Sequence, residues 1–274
     1  MNSADDLMFA RLARSIAERS GLLLGSYKDK CLRRRIAVRM RACGVHTYDE
    51  YLGLLDRMPA ELERLVDVLT INVTKFFRNP EVWKRLGESV APELLEARDG
   101  RVRVWSAGCA SGEEPYTLAM VFADAARRLG HDEWFERVTV DATDIDRLSL
   151  ERTREARYPP ASFSEAPPEM PAAWCLREAD GGYRVADRVR QRVVVRRHDM
   201  MIEPAPEPPY QLIVCRNVII YFDRASQERL MQLFHDALAP RGFLLLGKVE
   251  TIFGPARSRL EIVDARDRLY RRAA

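Results

Sequence analysis

The spacing of apolar positions changes along the chain, and each change marks a different kind of element. From residue 4 to about residue 58, and again over Ala60 to Leu69, apolar residues recur at helical intervals, so the first part reads as a set of helices. One of these, expected over Tyr27 to Cys43, carries a narrow apolar stripe of Leu32, Ile36, Met40 and Cys43. Lys30, Arg34 and Arg41 point away from the stripe and Arg33, Arg35 and Arg39 flank it, which predicts a basic outer face. Thr70 to Pro80 then breaks the helical period with β-branched and aromatic residues. It predicts a loop or short strand leading into a helix capped at Asn79, opened by Pro80 and running from Glu81 to Ala97.

Period two takes over after Gly100. Val102 and Val104 alternate with Arg101 and Arg103 before Trp105, and Val138, Val140 and Ala142 alternate in the same way. Tyr210 to Cys215 is the near-continuous apolar run of a strand buried on both faces. Between the first two strands Leu118, Phe122, Ala125 and Leu129 return to helical spacing. Strands alternating with helices predict a doubly wound α/β sheet behind an all-α region. Tyr158 to Glu178 is proline-rich and irregular; Tyr183 to Val185 and Val189 to Val195 predict short strands of a small β excursion near Gly181-Gly182. Ser226 is expected to cap a helix reaching Leu238, followed by a strand over Phe243 to Gly247 and an antiparallel pair made by Ile262-Val263 and Arg268 to Tyr270.

The turn after the first strand carries the chemistry. Gly108 and Gly112 permit a tight turn and close ligand approach, and Ser111 with Glu114 has capping-box spacing ahead of Pro115. Phosphate sites use the positive end of a helix and avoid carboxylates, yet here Glu113 and Glu114 occupy that end. Two readings stand: a site for a cationic nucleoside such as S-adenosylmethionine, or carboxylates that only answer the helix dipole. Asp144, at the edge of the second strand, suits ribose hydroxyls, and Asp146 suits the cap of the next helix.

Composition narrows the field. The 274 residues are 47% hydrophobic and 31% charged, as in a soluble globular protein of one large or two small domains. No apolar run is long enough to cross a membrane and the N-terminus lacks a secretory pattern, so no direct membrane insertion is expected. Five cysteines without paired spacing indicate a reducing cytoplasm, and four scattered histidines predict no metal site. A net charge of +3 does not by itself imply nucleic acid; the basic helix predicts an acidic partner, either nucleic acid or an acidic protein. Glu207-Pro-Pro-Tyr210 resembles the Pro-Pro-Tyr signature of amino methyltransferases but precedes its strand instead of following it, and reads as a proline linker.

Four segments, Thr74 to Arg78, Trp105 to Tyr116, Ala142 to Asp146 and Cys215 to Asp223, together resemble the bacterial chemotaxis receptor methyltransferases over nearly the whole chain. The resemblance implies an all-α receptor-docking domain over residues 1–78, a linker helix over 79–98, and a Rossmann-like S-adenosylmethionine domain over 99–274 with a small β-subdomain near 172–192. It implies methyl transfer to glutamate carboxylates of receptors, giving glutamyl methyl esters and S-adenosylhomocysteine. Cofactor positions carried over are Asn72, Thr74, Arg78, Ala107, Gly108, Glu114, Asp144, Asp199, Met200, Arg216 and Asn217, with Arg78 and Tyr221 flanking the transferring methyl. Arg33, Arg34, Arg35, Arg39 and Arg41 are the expected docking residues for the cytoplasmic methylation helices of receptors. The pattern departs from the family at Asp199-Met200, where Asn-Leu is usual, and at Val249-Glu250, where Ser-Glu is frequent. The short Arg177 to Val185 loop, with adjacent glycines, places the chain with members independent of a receptor pentapeptide. A monomer is expected. The rival readings are a nucleic-acid methyltransferase and a non-catalytic S-adenosylmethionine-binding signalling module.

Overall fold

The computed structural model describes residues 3–70, 74–97 and 100–273. The chain forms two compact units, one of Met1–Asn72 with Tyr221–Gln227, the other of Val73–Ile220 with Glu228–Ala274.

The first unit is helical, as its apolar spacing predicts: α1 (Ser3–Ser20), α2 (Asp29–Ala42), α3 (Tyr48–Arg57) and α4 (Pro59–Thr70). Thr47 and Glu50 form a reciprocal capping box at the start of α3. Leu32, Ile36 and Met40 of α2 are buried with Leu12 and Ile16 of α1, Tyr51 and Leu55 of α3, and Leu65 and Leu69 of α4. Glu61 is buried among them at 1% exposure. Both its oxygens accept from Arg39 (2.9 and 2.6 Å), and Oε1 also accepts from the Tyr51 hydroxyl (2.8 Å). Arg33 donates to Asp29 and Asp6 (2.7 and 2.8 Å) and lies over the Phe9 ring. Arg35 donates to the carbonyls of Val68 and Leu69 in the last turn of α4 (2.8 and 2.9 Å). The expected basic face is therefore smaller than periodicity suggests. Lys30, Arg34 and Arg41 are exposed, whereas Arg33, Arg35 and Arg39 are spent inside the unit.

The segment 221–227 completes this unit. Tyr27 pairs with Phe222 as an isolated bridge, the Lys28 N–H donates to the Tyr221 carbonyl (2.9 Å), and the Asp223 N–H donates to Ser26 (2.9 Å). The Ser226 N–H donates to Asp223 Oδ1 (2.7 Å), so Asp223 takes the capping position expected of Ser226.

The second unit opens with α5 (Pro80–Arg85), a π turn over Leu86–Val90, and α6 (Ala91–Glu96). Then follow β1 (Val102–Ala107), α7 (Glu113–Arg128), β2 (Val138–Asp144), α8 (Arg147–Glu155), β3 (Arg157–Tyr158), α9 (Glu169–Trp174), β4 (Cys175–Arg177), β5 (Tyr183–Val185), α10 (Asp187–Arg190), β6 (Val193–Arg197) and β7 (Tyr210–Cys215). The chain closes with α11 (Arg224–Ala237), β8 (Leu238–Leu246), β9 (Leu260–Asp264) and β10 (Leu269–Arg272). The main sheet has the order β6-β2-β1-β7-β8-β10-β9, with β10 antiparallel to both of its neighbours and the other pairs parallel. From β1 the chain runs to β2 on one side and later to β7 on the other. The switch point thus falls between β1 and β7, where open α/β sheets bind ligands.

The expected strand over Val189 to Val195 forms only from Val193 onward. A helical turn covers Asp187–Arg190, and β6 joins the main sheet, with Val193 and Val195 in register with Val140 and Ala142. The small sheet is β3-β5-β4 and so spans residues 157–185. Alternation marks a strand but not which sheet it enters; that is decided by the partner that buries its apolar face. Phe76 stacks on Phe163 at 4.1 Å and Phe77 is buried near Trp83, so both rings anchor the connector in the core of the second unit.

Glu61→Ala strands Arg39 and the Tyr51 hydroxyl without their partner. It should cost about 3 kcal/mol or more. Urea unfolding followed in the helical unit measures this, and an unchanged midpoint would show the buried carboxylate to be dispensable.

Candidate cofactor site at the strand edges

β1 ends at the buried Ala107, and the chain turns at Gly108 (φ +80°). The N–H groups of Gly108 and Cys109 both donate to Thr143 at the end of β2 (2.8 and 2.9 Å), drawing the turn across the two strand edges. A Cβ on Gly108 would lie 2.6 Å from Val218 Cγ2, and one on Gly112 (φ +98°) would lie 2.6 Å from the Tyr158 hydroxyl. Both glycines are required by the left-handed backbone and by the neighbour they admit.

Within this turn the Ala110 N–H donates to Asp144 Oδ2 (2.8 Å), while Asp144 Oδ1 accepts from the Asp146 N–H (3.0 Å). Burial pushes the Asp144 carboxyl up, and these N–H groups oppose the shift. Asp146 caps α8 as expected, accepting from Leu148 (3.0 Å). The capping box expected of Ser111 and Glu114 is absent. Gly112 occupies the cap position, which leaves Ser111 one residue outside; the Ser111 hydroxyl donates to Glu113 Oε2 (2.7 Å).

Glu114 instead turns toward the strands, where Oε1 accepts from the Ser106 hydroxyl (2.9 Å) and Oε2 lies 3.9 Å from Arg216 Nη1. Burial pushes its carboxyl up to about 7, against the pull of Arg216 and the Ser106 bond. Arg216 leaves the end of β7 at 6% exposure, and burial lowers its pKa against the opposing field of Glu114. Its Nη2 donates to the Arg78 carbonyl (3.0 Å) and to Asn79 Oδ1 (2.9 Å), and its guanidinium lies 5.0 Å from the Trp83 ring centre. Asn79 therefore does not cap α5 with its side chain; the carboxamide is held by Arg216 instead.

Past β6, the His198 N–H donates to the Asp144 carbonyl (3.0 Å), which brings Asp199 and Met200 to the end of β2. Asp199 is buried and its Oδ1 accepts from the Met201 N–H (2.9 Å), so much of its side chain serves its own turn. The C-terminal edge of this sheet thus gathers Ala107, Gly108, Glu114, Asp144, Asp199, Met200, Arg216 and Asn217, with the Arg78 backbone tied to Arg216. Thr74 is half-buried in the same unit. Asn72 lies outside the described residues. Tyr221 belongs to the other unit, where the Arg35 guanidinium lies 4.9 Å from its ring centre.

Sequence patterns give no role to Ser106, Trp83 or Glu250, and give Asn79 only that of a helix cap. The only signal for Glu250 was the Val249-Glu250 departure; nothing in spacing shows that its carboxylate gathers the N–H groups of Asn217, Val218, Ile219 and Gly247. Among the described residues no group of three or more His, Cys, Asp or Glu could hold a metal ion. Chemically, a buried carboxylate at the start of α7 disfavours phosphate there and favours a cation.

Two family descriptions match the chain: "CheR methyltransferase, all-alpha domain" over residues 7–70 and "CheR methyltransferase, SAM binding domain" over residues 72–268. The chemotaxis protein methyltransferase of Listeria monocytogenes is 33% identical over 92% of this chain and 92% of its own length. That of Escherichia coli K12 is 31% identical over 89% of this chain and 84% of its own. A probable biofilm formation methyltransferase of Pseudomonas aeruginosa, WspC, is 32% identical over 88% of this chain and 56% of its own.

Gly112→Ala should lower stability by about 2 kcal/mol or more, from left-handed strain and the contacts with Tyr158 and Thr153. Thermal unfolding is the measurement, and a melting temperature equal to wild type would mean that the turn relaxes freely.

Proposed function

The chain belongs to the CheR methyltransferase family, and from that premise we propose that it moves the S-adenosylmethionine methyl group onto glutamate side chains of chemotaxis receptors. The observation that carries the cofactor part is Glu114, a largely enclosed carboxylate (side chain 12% exposed) at the sheet's switch point beside Arg216, where a phosphate binder would leave free N–H groups. Its carboxylate suits the cationic part of the cofactor, and Asp144 at the next strand edge suits the ribose. A receptor glutamate, with an unperturbed pKa of about 4.3, is already ionised at neutral pH. The reaction then needs no general base; alignment of carboxylate oxygen, methyl carbon and sulfur is the main requirement. On the family pattern Arg78 pairs with a carboxylate. Each transfer removes one negative charge from the receptor and leaves S-adenosylhomocysteine.

Docking falls to the exposed cations Arg34 and Arg41, because Arg33, Arg35 and Arg39 are spent within the helical unit. The same loss weakens the case for a phosphate-gripping face. All five cysteines are free, in keeping with a cytoplasmic site of action, and no helix among the described residues is long and apolar enough to cross a membrane. We take the protein to act as a monomer. Glu178 and Gly182 close a tight turn between β4 and β5 (Glu178 N–H to Gly182 O, 2.9 Å), which supports independence from a receptor pentapeptide. Titration of such a peptide into the protein tests that reading, and saturable micromolar binding would overturn it.

The decisive assay is incubation with methyl-labelled S-adenosylmethionine and a receptor cytoplasmic fragment. Label on the fragment released as methanol by mild alkali is the expected result; alkali-stable label would exclude a methyl ester. Charge reversal at Arg34 and Arg41 should slow receptor methylation in low salt and leave cofactor affinity unchanged. A wild-type methylation rate would end the docking assignment. Glu114 gives a pH prediction. With its carboxyl near 7 it is neutral below that pH and ionised above, and a cationic ligand favours the ionised form. Affinity for S-adenosylmethionine should therefore fall as pH drops through about 7, and Glu114→Gln should bind weakly with a flat profile. Calorimetry across this range checks it, and an unaltered slope in the variant would assign the titration elsewhere.

A further inference from the structure

Glu250 is 2% exposed, and its carboxylate meets four backbone N–H groups. Oε1 accepts from Val218 (2.9 Å) and Ile219 (2.8 Å), and Oε2 from Asn217 (3.0 Å) and Gly247 (2.6 Å). An ionised carboxylate offers about four lone-pair sites, so its accepting capacity is filled by backbone alone. Three of the donors are consecutive residues leaving β7, and the fourth follows β8, the neighbouring strand. Consecutive N–H groups converge on one anion only where the backbone turns sharply, and Asn217 stands at φ +62°. Gly247 fits closely: a Cβ there would lie 2.6 Å from Glu250 Oε2 and 2.9 Å from the Asn217 nitrogen.

The backbone held in this way is the ligand edge of the sheet. Asn217 directly follows Arg216, whose guanidinium approaches Glu114 at 3.9 Å. A shift of the 217–219 backbone would move both residues relative to β1. We propose that Glu250 is a positioning residue, whose carboxylate locks the Arg216–Asn217 edge in the shape that receives the cofactor without touching the cofactor itself. This rests on the cofactor reading above. The role calls for a carboxylate and not its amide. Gln at this position keeps one acceptor oxygen but turns N–H donors toward backbone N–H donors, and two of the four bonds are lost.

The test is Glu250→Gln, with Val249→Ser, an exposed neighbour, as control. S-adenosylhomocysteine binding is measured by calorimetry, and methylation of a receptor cytoplasmic fragment gives KM for S-adenosylmethionine and kcat. The expected result is a rise of about tenfold or more in Kd and KM, with kcat within about threefold of wild type. Amide exchange should speed up at residues 217–219 and 247 while β7 and β8 stay protected. Wild-type Kd and KM in the variant would overturn the positioning role. So would lost affinity accompanied by lost protection throughout β7 and β8, since that is general unfolding. If the wild-type protein itself binds neither S-adenosylmethionine nor S-adenosylhomocysteine, the underlying cofactor reading fails first.

Discussion

The guanidinium of Arg216 is the buried charge on which the candidate site depends. A cation taken out of water costs several kcal/mol unless it is paired and hydrogen-bonded. Its partners come from two segments: Glu114 at the start of α7, and the connector running into α5, which supplies the Arg78 carbonyl, the Asn79 carboxamide and the Trp83 ring. Pairing the terminal nitrogens of this one side chain thus fixes the connector against the ends of β1 and β7. It also explains why Asn79 gives up its capping role and why Glu114 bends away from its own helix.

Each unit contains a buried carboxylate that is satisfied in a different way. Glu61 meets a guanidinium and a phenol, and so ties side chains of α2, α3 and α4. Glu250 meets only backbone N–H groups, and so shapes a turn. A side-chain knot sets how helices pack; a backbone knot sets where a strand edge points. The second kind belongs beside a ligand site, where small errors in position matter most.

The arginines of α2 show how charge that looks like a surface on paper becomes structure. Arg35 donates to carbonyls in the last turn of α4, and Arg33 and Arg39 pair with carboxylates of α1, α2 and α4. Long side chains flanking an apolar stripe reach neighbouring helices as readily as solvent. Only the positions opposite the stripe stay available to a partner.

Much was legible in the sequence. Period fixed the helices of the first unit and strands β1, β2 and β7, because a buried face must recur at the element's own repeat. Gly108 and Gly112 marked the turn, and Asp146 the cap of α8. What period does not carry is partnership. That Val193 and Val195 join the main sheet, that residues 221–227 belong to the helical unit, that Ser106 receives Glu114 and that Glu250 gathers four amides are contacts between residues distant in sequence. Local spacing records which face a residue presents; only the packed tertiary structure decides what meets that face, because burial makes each polar group find a partner wherever the fold brings one within reach.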